Sequence, residues 1–443
     1  MRAIYILLLL IPTMVTAQNE WSLSDCIHYA LNHHPDISIK KEEVIIGKQN
    51  YLEAIGSLLP TIESQVGAAL SYGNSRDYAT QAMTSNNTFS NQYNLSARLM
   101  IFDGLSSINR LKMNRINRTK STNQLQNTKD LLSYEVVEAY LNVAYYKETQ
   151  KLAKQQLKAS SEDLHKNERM KELGMISLVD LTEARAKMAE DKYFLTQQNN
   201  LVKLATILLK EKLNFPLNEK LQVKSIKDNY EVAKTLESSS TVFESALYYL
   251  PSALISENEV NAQRMSYRSA KGAWFPQISM SVGMSTNYFK YLNNKNGNES
   301  RSWSTQLKDN KGEYIQFNLS IPIFTGFKRS SSVRRAKAYF TIAKHEQDNM
   351  HTKIYQDIEQ TIANVNGQVD DYEQAIEQEE AMWAAHQANT KKHQEGLIDP
   401  IQLSMSANRL LQAKVARTKS YHTYVLQLKL YQYYKGIPYT AEN

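Results

Sequence analysis

The sequence has one cysteine, nine prolines and fourteen glycines in 443 residues, and nowhere a run of eighteen or more apolar residues. A single cysteine, Cys26, excludes an internal disulfide. The missing apolar run excludes a spanning helix, and a mean hydropathy of −0.51 agrees. So few glycines and prolines imply long, uninterrupted elements with few turns. Also missing are a glycine-rich phosphate loop, a nucleophile elbow and a zinc-binding helix motif, so neither enzyme activity nor a cofactor is expected. The net charge of +7 is spread among acids along helical stretches such as Lys151 to Lys171. It reads as solvated faces, with no nucleic-acid partner.

At the N-terminus, Arg2, the nine apolar residues Ala3 to Ile11 and the small-residue stop Val15-Thr16-Ala17 form a secretory signal, residues 1–17. Cys26 lies too far past the cleavage point to be acylated. Cys26, His28, His33 and His34 are close in sequence, but their spacing matches no metal motif. They are expected to be packing and surface residues, with no metal site. Carboxylate pairs such as Glu379-Glu380 are read as solvating a helical face.

The mature chain is one unit written twice. "ALNHHPDI" around Pro35 matches "ALYYLPSA" around Pro251, and "GSLLPTIESQVG" around Pro60 matches "GAWFPQISMSVG" around Pro276, both 216 residues apart. "LMIFDG" ending at Gly104 matches "IPIFTG" ending at Gly326, and Gly174 matches Gly396, both 222 apart. The six-residue difference falls between residues 73 and 91, or 289 and 313. Each copy holds very long helices: Leu105 to Leu173 has no glycine or proline, about 100 Å if continuous. Gly174 and Gly396 are then the tips of helical hairpins.

Each copy also holds two segments with strict two-residue alternation. Ile62, Val66 and Leu70 alternate with polar or small residues, as do Leu95 and Leu99, then Val282 and Met284, then Phe317, Leu319, Ile321 and Ile323. This pattern suits tilted strands with one face toward lipid and one toward a wet lumen. Val66, Leu70, Leu95, Leu99, Val282, Met284, Phe317 and Leu319 are assigned to the lipid face. Tyr72, Tyr93 and Tyr288 fit an interfacial girdle. A strand in lipid cannot leave an open edge, and four strands are too few to close a barrel. Copies of the chain must therefore share one.

With the duplication, "LSDCIHYALNHHPDI", the prolines at 60 and 276, "IFDG" and "IFTG", and the tip "LGMISLVDLTEAR", the mature chain resembles the TolC-type outer-membrane efflux family. That resemblance implies a mainly α protein with a membrane β part. A homotrimer would form a 12-stranded β-barrel continued by a long periplasmic α-barrel. The function implied is a passive exit channel of a tripartite efflux or type I secretion system. A periplasmic adaptor and an inner-membrane pump of RND or ABC type would be the partners. On this scheme residues 18–60 form an N-terminal helical segment and 61–103 the first β-hairpin. Residues 104–215 form the first long helices and 216–240 an equatorial linker. The second copy follows with 241–276, 277–325 and 326–436, then a tail, 437–443. Gly174, Met175, Ile176, Gly396, Leu397 and Ile398 would dock the adaptor. Asp180, Asp399, Gln402 and Met405 would form the periplasmic gate, with Gln402 and Met405 standing where the family often has acids. The competing reading is a coiled-coil structural or adhesive protein without transport, which leaves the four alternating strands unexplained.

Overall fold

Prolines start helices in this chain and glycines end them, and between these signals the backbone has little reason to break. In a computed structural model, which describes residues 20–76, 83–85, 87–224, 230–235, 237–292 and 300–440, the elements follow that punctuation. The signal segment, residues 1–17, lies outside the described residues. In order they are α1 (Leu23–His33), α2 (Pro35–Gly56), β1 (Thr61–Ser71), β2 (Asn74–Arg76), β3 (Met83–Ser85), β4 (Thr88–Phe102), α3 (Ser106–Glu172) and α4 (Leu178–Leu213). Then come α5 (Ser239–Ala246), α6 (Pro251–Gly272), β5 (Gln277–Tyr291), α7 (Trp303–Asp309), β6 (Gly312–Ser320), α8 (Lys328–Gln394) and α9 (Pro400–Tyr434). Pro35 parts α1 from α2 because the residue before a proline avoids the helical region; His34 is extended, at φ −73° and ψ 131°.

The duplication shows in the lengths of the paired helices. α2 and α6 are both 22 residues long and α3 and α8 both 67. The tips repeat too: Gly174 has φ 73° and Gly396 φ 74°. A left-handed residue at this place turns a helix end at no steric cost to glycine.

Two units divide the chain. One comprises residues up to 41, 124–254 and 350–443; the other 42–123 and 255–349. The first has the larger core. α3 contributes Leu132, Val136, Val137, Tyr140 and Val143 at helical spacing, packed with Leu209 and Leu213 of α4, Ile358 and Val365 of α8, and Tyr424 and Val425 of α9. Cys26 is fully buried here beside Ile27 and Ala30 of α1. Burial pushes its thiol up to about 12, so it is an inert packing group. His33 Nδ1 lies 2.9 Å from the Tyr29 carbonyl oxygen, and its ring stacks on Tyr29. After α4, the buried Lys210 ties down the following turn through Nζ, which donates to the carbonyls of Leu217 (3.1 Å) and Glu219.

The second unit carries a four-stranded antiparallel sheet ordered β1-β4-β5-β6. β6 begins at Gly312 and stops at Ser320, so Ile321 and Ile323, read from the alternation as strand residues, lie beyond it. Pro322 has no N–H to give to a ladder, which ends the pairing early. The region of the six-residue difference contains α7 in the second copy and the β2–β3 ladder in the first. β6 pairs with β5 only as far as Ser285. Beyond that, Gln306 of α7 stands in for a strand at Phe289. Its amide donates to the Phe289 carbonyl (2.9 Å) and accepts from the Phe289 N–H (3.0 Å), which protects an open edge.

Candidate functional site

Three places in the chain hold the residues singled out in the sequence. The first is the sheet. Paired residues in an antiparallel ladder point to the same side. The register pairs Val66 with Tyr93, Leu95 with Met284 and Ala97 with Val282, then Met280 with Phe317 and Val282 with Ile315. Leu70, Leu99 and Leu319 stand on the same side, opposite Phe89, Met280 and Ile278. One face is thus apolar across all four strands. The other face carries Glu63, Gln65, Asn94, Ser96, Arg98, Ser281 and Asn318. The apolar face is uncovered in the chain: Val66 is 65%, Phe317 66% and Leu319 59% exposed. Tyr314 lies across Gly283 on the polar face, where a Cβ on Gly283 would meet its hydroxyl at 2.7 Å.

The hairpin tips are the second place. Met175 and Leu397 are bare, at 67% and 68% exposed, and so are Leu173, Leu178 and Val179. Ile176 and Ile398, also expected at the docking tips, are less exposed than Met175 and Leu397. Ile176 turns inward onto Leu164, Leu181 and Ala184, and Ile398 is half-buried. A hairpin can bury an apolar side chain just inside its turn, where its two helices meet, and this one does. Leu173 and the pair Leu178–Val179 take the outward places that the sequence reading gave to Ile176 and Ile398. The helical spacing after the tip could have shown this.

The third place is the first turns of α4 and α9. Asp180 and Asp399 are both committed to helix ends. Ser177 N–H and Oγ donate to Asp180 Oδ2 (3.0 and 2.7 Å), and Asp180 N–H donates back to Ser177 Oγ (3.1 Å). This is a capping box. The Ser177 hydrogen bonds, side chain first and backbone second, hold the Asp180 carboxyl below its ordinary range. Asp399 caps α9 by accepting from Gln402 N–H (2.7 Å), which brings two of the four expected gate residues together. Gln402 is exposed, and Met405 is 51% exposed.

A polar network that sequence reading missed lies two to three turns further on. Lys187 Nζ donates to Asp191 Oδ1 (2.7 Å), Glu190 Oε2 (3.0 Å) and Asn408 Oδ1 of α9. Gln156 of α3 donates to Asp191 Oδ2 (3.3 Å) and Asn408 to Glu190 (3.4 Å). The Asp191 side chain is only 2% exposed. The network joins three helices of the two hairpins.

Residues 27–211 and 251–428, one stretch from each half, match the model of the outer membrane efflux protein family. The chain belongs to that family. The outer membrane efflux protein BepC of Brucella suis biovar 1 (strain 1330) is 23% identical over 353 residues, 79% of this chain and 71% of BepC. The outer membrane protein TolC of Vibrio cholerae is 21% identical over 316 residues, 70% of this chain and 68% of TolC. Among solved structures, the CmeC outer membrane channel of Campylobacter jejuni superposes with a TM-score of 0.81 at 17% identity, over 95% of this chain and 87% of CmeC. This efflux protein is thus an outer-membrane channel built on the duplicated hairpin and two-strand unit, whose barrel is completed by three copies. Channels of the family work with efflux pumps. The family match sets aside a coiled-coil adhesion protein.

Proposed function

We propose that this efflux protein is the passive exit duct of a tripartite exporter, docked through its hairpin tips onto a periplasmic adaptor that connects it to an inner-membrane pump of RND or ABC type. The observation that carries the reading is the bare apolar surface at both tips, since uncovered apolar groups at a helical turn mark a contact. Leu173, Met175, Leu178 and Val179 on the first tip and Leu397 on the second are each about two-thirds exposed or more. Gly174 and Gly396 set the turns, and Ile176 supports the first from within. Replacing Met175 and Leu397 together with Asp is expected to abolish efflux, measured as a fall of the cell's resistance to that of a deletion strain. The amount of heat-resistant trimer in the outer membrane should stay the same. Loss of trimer in step with loss of efflux would mean that the tips serve assembly instead.

The gate is assigned to Asp180, Asp399, Gln402 and Met405. In a trimer each residue forms a ring, and a ring of acids in a narrow wet pore selects cations. Here the two acids are occupied with caps, and an amide and a thioether stand in the next turn. Lys391, Lys392 and His393, in the last turn of α8, further weaken a negative potential. Cation selectivity is therefore expected to be weak. Gln402→Asp with Met405→Asp should raise it and create block by divalent cations in planar-bilayer conductance. Strong selectivity and tight block in the unaltered channel would refute the placement.

A further inference from the structure

Among the described residues, the outer strands of the sheet, β1 and β6, each have a strand on one side only. We infer that the joint between neighbouring copies of this chain repeats the joint between its own two halves, and that Glu53 of one copy pairs there with Lys328 of the next. The inference rests on the trimeric channel described above and assigns its contacts.

The duplication preserves register as well as sequence. Moving Thr61 and Arg98, partners in β1–β4, forward by 216 and 222 residues gives Gln277 and Ser320, which are partners in β5–β6. Glu63 and Ser96 likewise become Ser279 and Asn318, again partners. The pairing within each half is therefore one pairing used twice. The pairing between halves, β4 with β5, has no second instance inside the chain, but the same shifts define it. Ala97 and Val282 become Leu319 and Val66, on the two open edges. Closing a barrel without exposed edges requires that they meet.

The helix ends below the sheet extend the argument. Gly104 and Gly272 touch so closely that a Cβ on either would strike the other's carbonyl oxygen. Their counterparts, Gly326 and Gly56, have nothing within 4 Å. Gly326 nonetheless keeps the same left-handed backbone, φ 57° against 67° for Gly104. Half of a close crossing is thus present at each of two sites that lack a partner. Beside the occupied crossing, Ser106 Oγ donates to the Ser269 carbonyl (2.8 Å) and Ser269 Oγ to the Ser106 carbonyl (3.0 Å). The counterparts of these serines are Lys328 and Glu53, which carry opposite charges. Both are exposed, and among the described residues neither has an ion-pair partner in its own chain. Phe275, which crowds Gly104, corresponds to Leu59. Leu59 is 58%, Phe324 76% and Phe327 73% exposed, and a neighbour seated this way would cover them. The occupant that fits is a second copy of this chain, because only that copy supplies both the complementary glycine and the complementary charge.

Paired cysteines provide the test, in the full-length protein in outer membranes with Cys26→Ser as background. The two serines reach each other's backbone with short side chains, so cysteines at the matching places are within bonding reach. Glu53→Cys with Lys328→Cys, and separately Val66→Cys with Leu319→Cys, should give disulfide-linked dimers and trimers on oxidation. Leu70→Cys with Leu319→Cys, four residues out of register, should give none. Glu53→Lys should lose most of the heat-resistant trimer, and adding Lys328→Glu should restore it. If the trimer is intact on gels but neither matched pair links, the joint is wrong while the trimeric channel stands. If the unaltered protein is not a trimer, the underlying reading fails. Linkage to a different protein, or a double charge variant no better than the single one, would overturn the pairing. Where a charge variant fails to accumulate, the cysteine pairs decide.

Discussion

Leu95→Arg is expected to remove the assembled channel from the outer membrane, whereas Ser96→Arg, one residue away, leaves it in place. The two positions differ only in the face they occupy. Leu95 pairs with Met284 and Ser64 on the apolar side, and it is 45% exposed in the single chain. An arginine there projects its guanidinium into lipid, where it costs about 2–4 kcal/mol near the midplane. Each barrel carries the substitution three times, so the penalty rivals the whole stability of a typical domain. Ser96 faces the other way, between Glu63 and Gly283. An arginine at this position gains a carboxylate opposite it, that of Glu63. The measurement is the fraction of heat-modifiable oligomer in outer-membrane preparations. Equal loss at both positions would show that the apolar face does not meet lipid.

The contrast can be drawn because the strands are legible from sequence. Two-residue alternation fixes which side chains share a face, and the absence of breakers fixes where helices continue. Both signals are local, and the duplication made each readable twice. Other features escaped for equally physical reasons. Ile321 and Ile323 continue the apolar alternation, but Pro322 between them cannot join a ladder, and the backbone constraint wins over the pattern. The pairing of Ser177 with Asp180 was legible in principle, because a serine followed three residues later by an acid is a helix-start signature. The sequence leaves Asp180 two readings, a helix cap and a pore residue, and the hydrogen bonds with Ser177 show the cap. α7 has seven residues, too few for any helical period to show. The Lys187 network was beyond local reading altogether. Lys187 and Asp191, four apart on a helix, look like a solvated surface pair. Only the fold brings Gln156 and Asn408 alongside and excludes water.

That network leads to the second large expected effect: Lys187→Met should loosen the two hairpins near their tips, and Lys187→Met with Asp191→Leu should do so much less. Lys187 is the only cation bonded to Asp191 among the described residues, at 2.7 Å, with side-chain exposures of 12% and 2%. Removing it leaves a buried carboxylate with one amide donor, Gln156. Breaking a buried pair from one side costs about 3–5 kcal/mol, because the remaining charge has lost its compensation. The single substitution also removes the bond to Asn408, which ties α4 to α9 across 221 residues of sequence. Loss of both should let the first turns of α4 and α9 separate. The channel would then leak, which can be measured as higher single-channel conductance and as entry of antibiotics too large for ordinary porins. Adding Asp191→Leu removes the stranded charge and replaces it with a side chain that packs, so most of the stability should return. The Lys187 bonds to Asn408 and Glu190 stay broken in both variants, so a leak that remains in the double variant reports the lost hydrogen bonds of the network and not the stranded charge. A single variant as heat-resistant and as tightly closed as the parent would show that the network neither carries this energy nor holds the hairpins together.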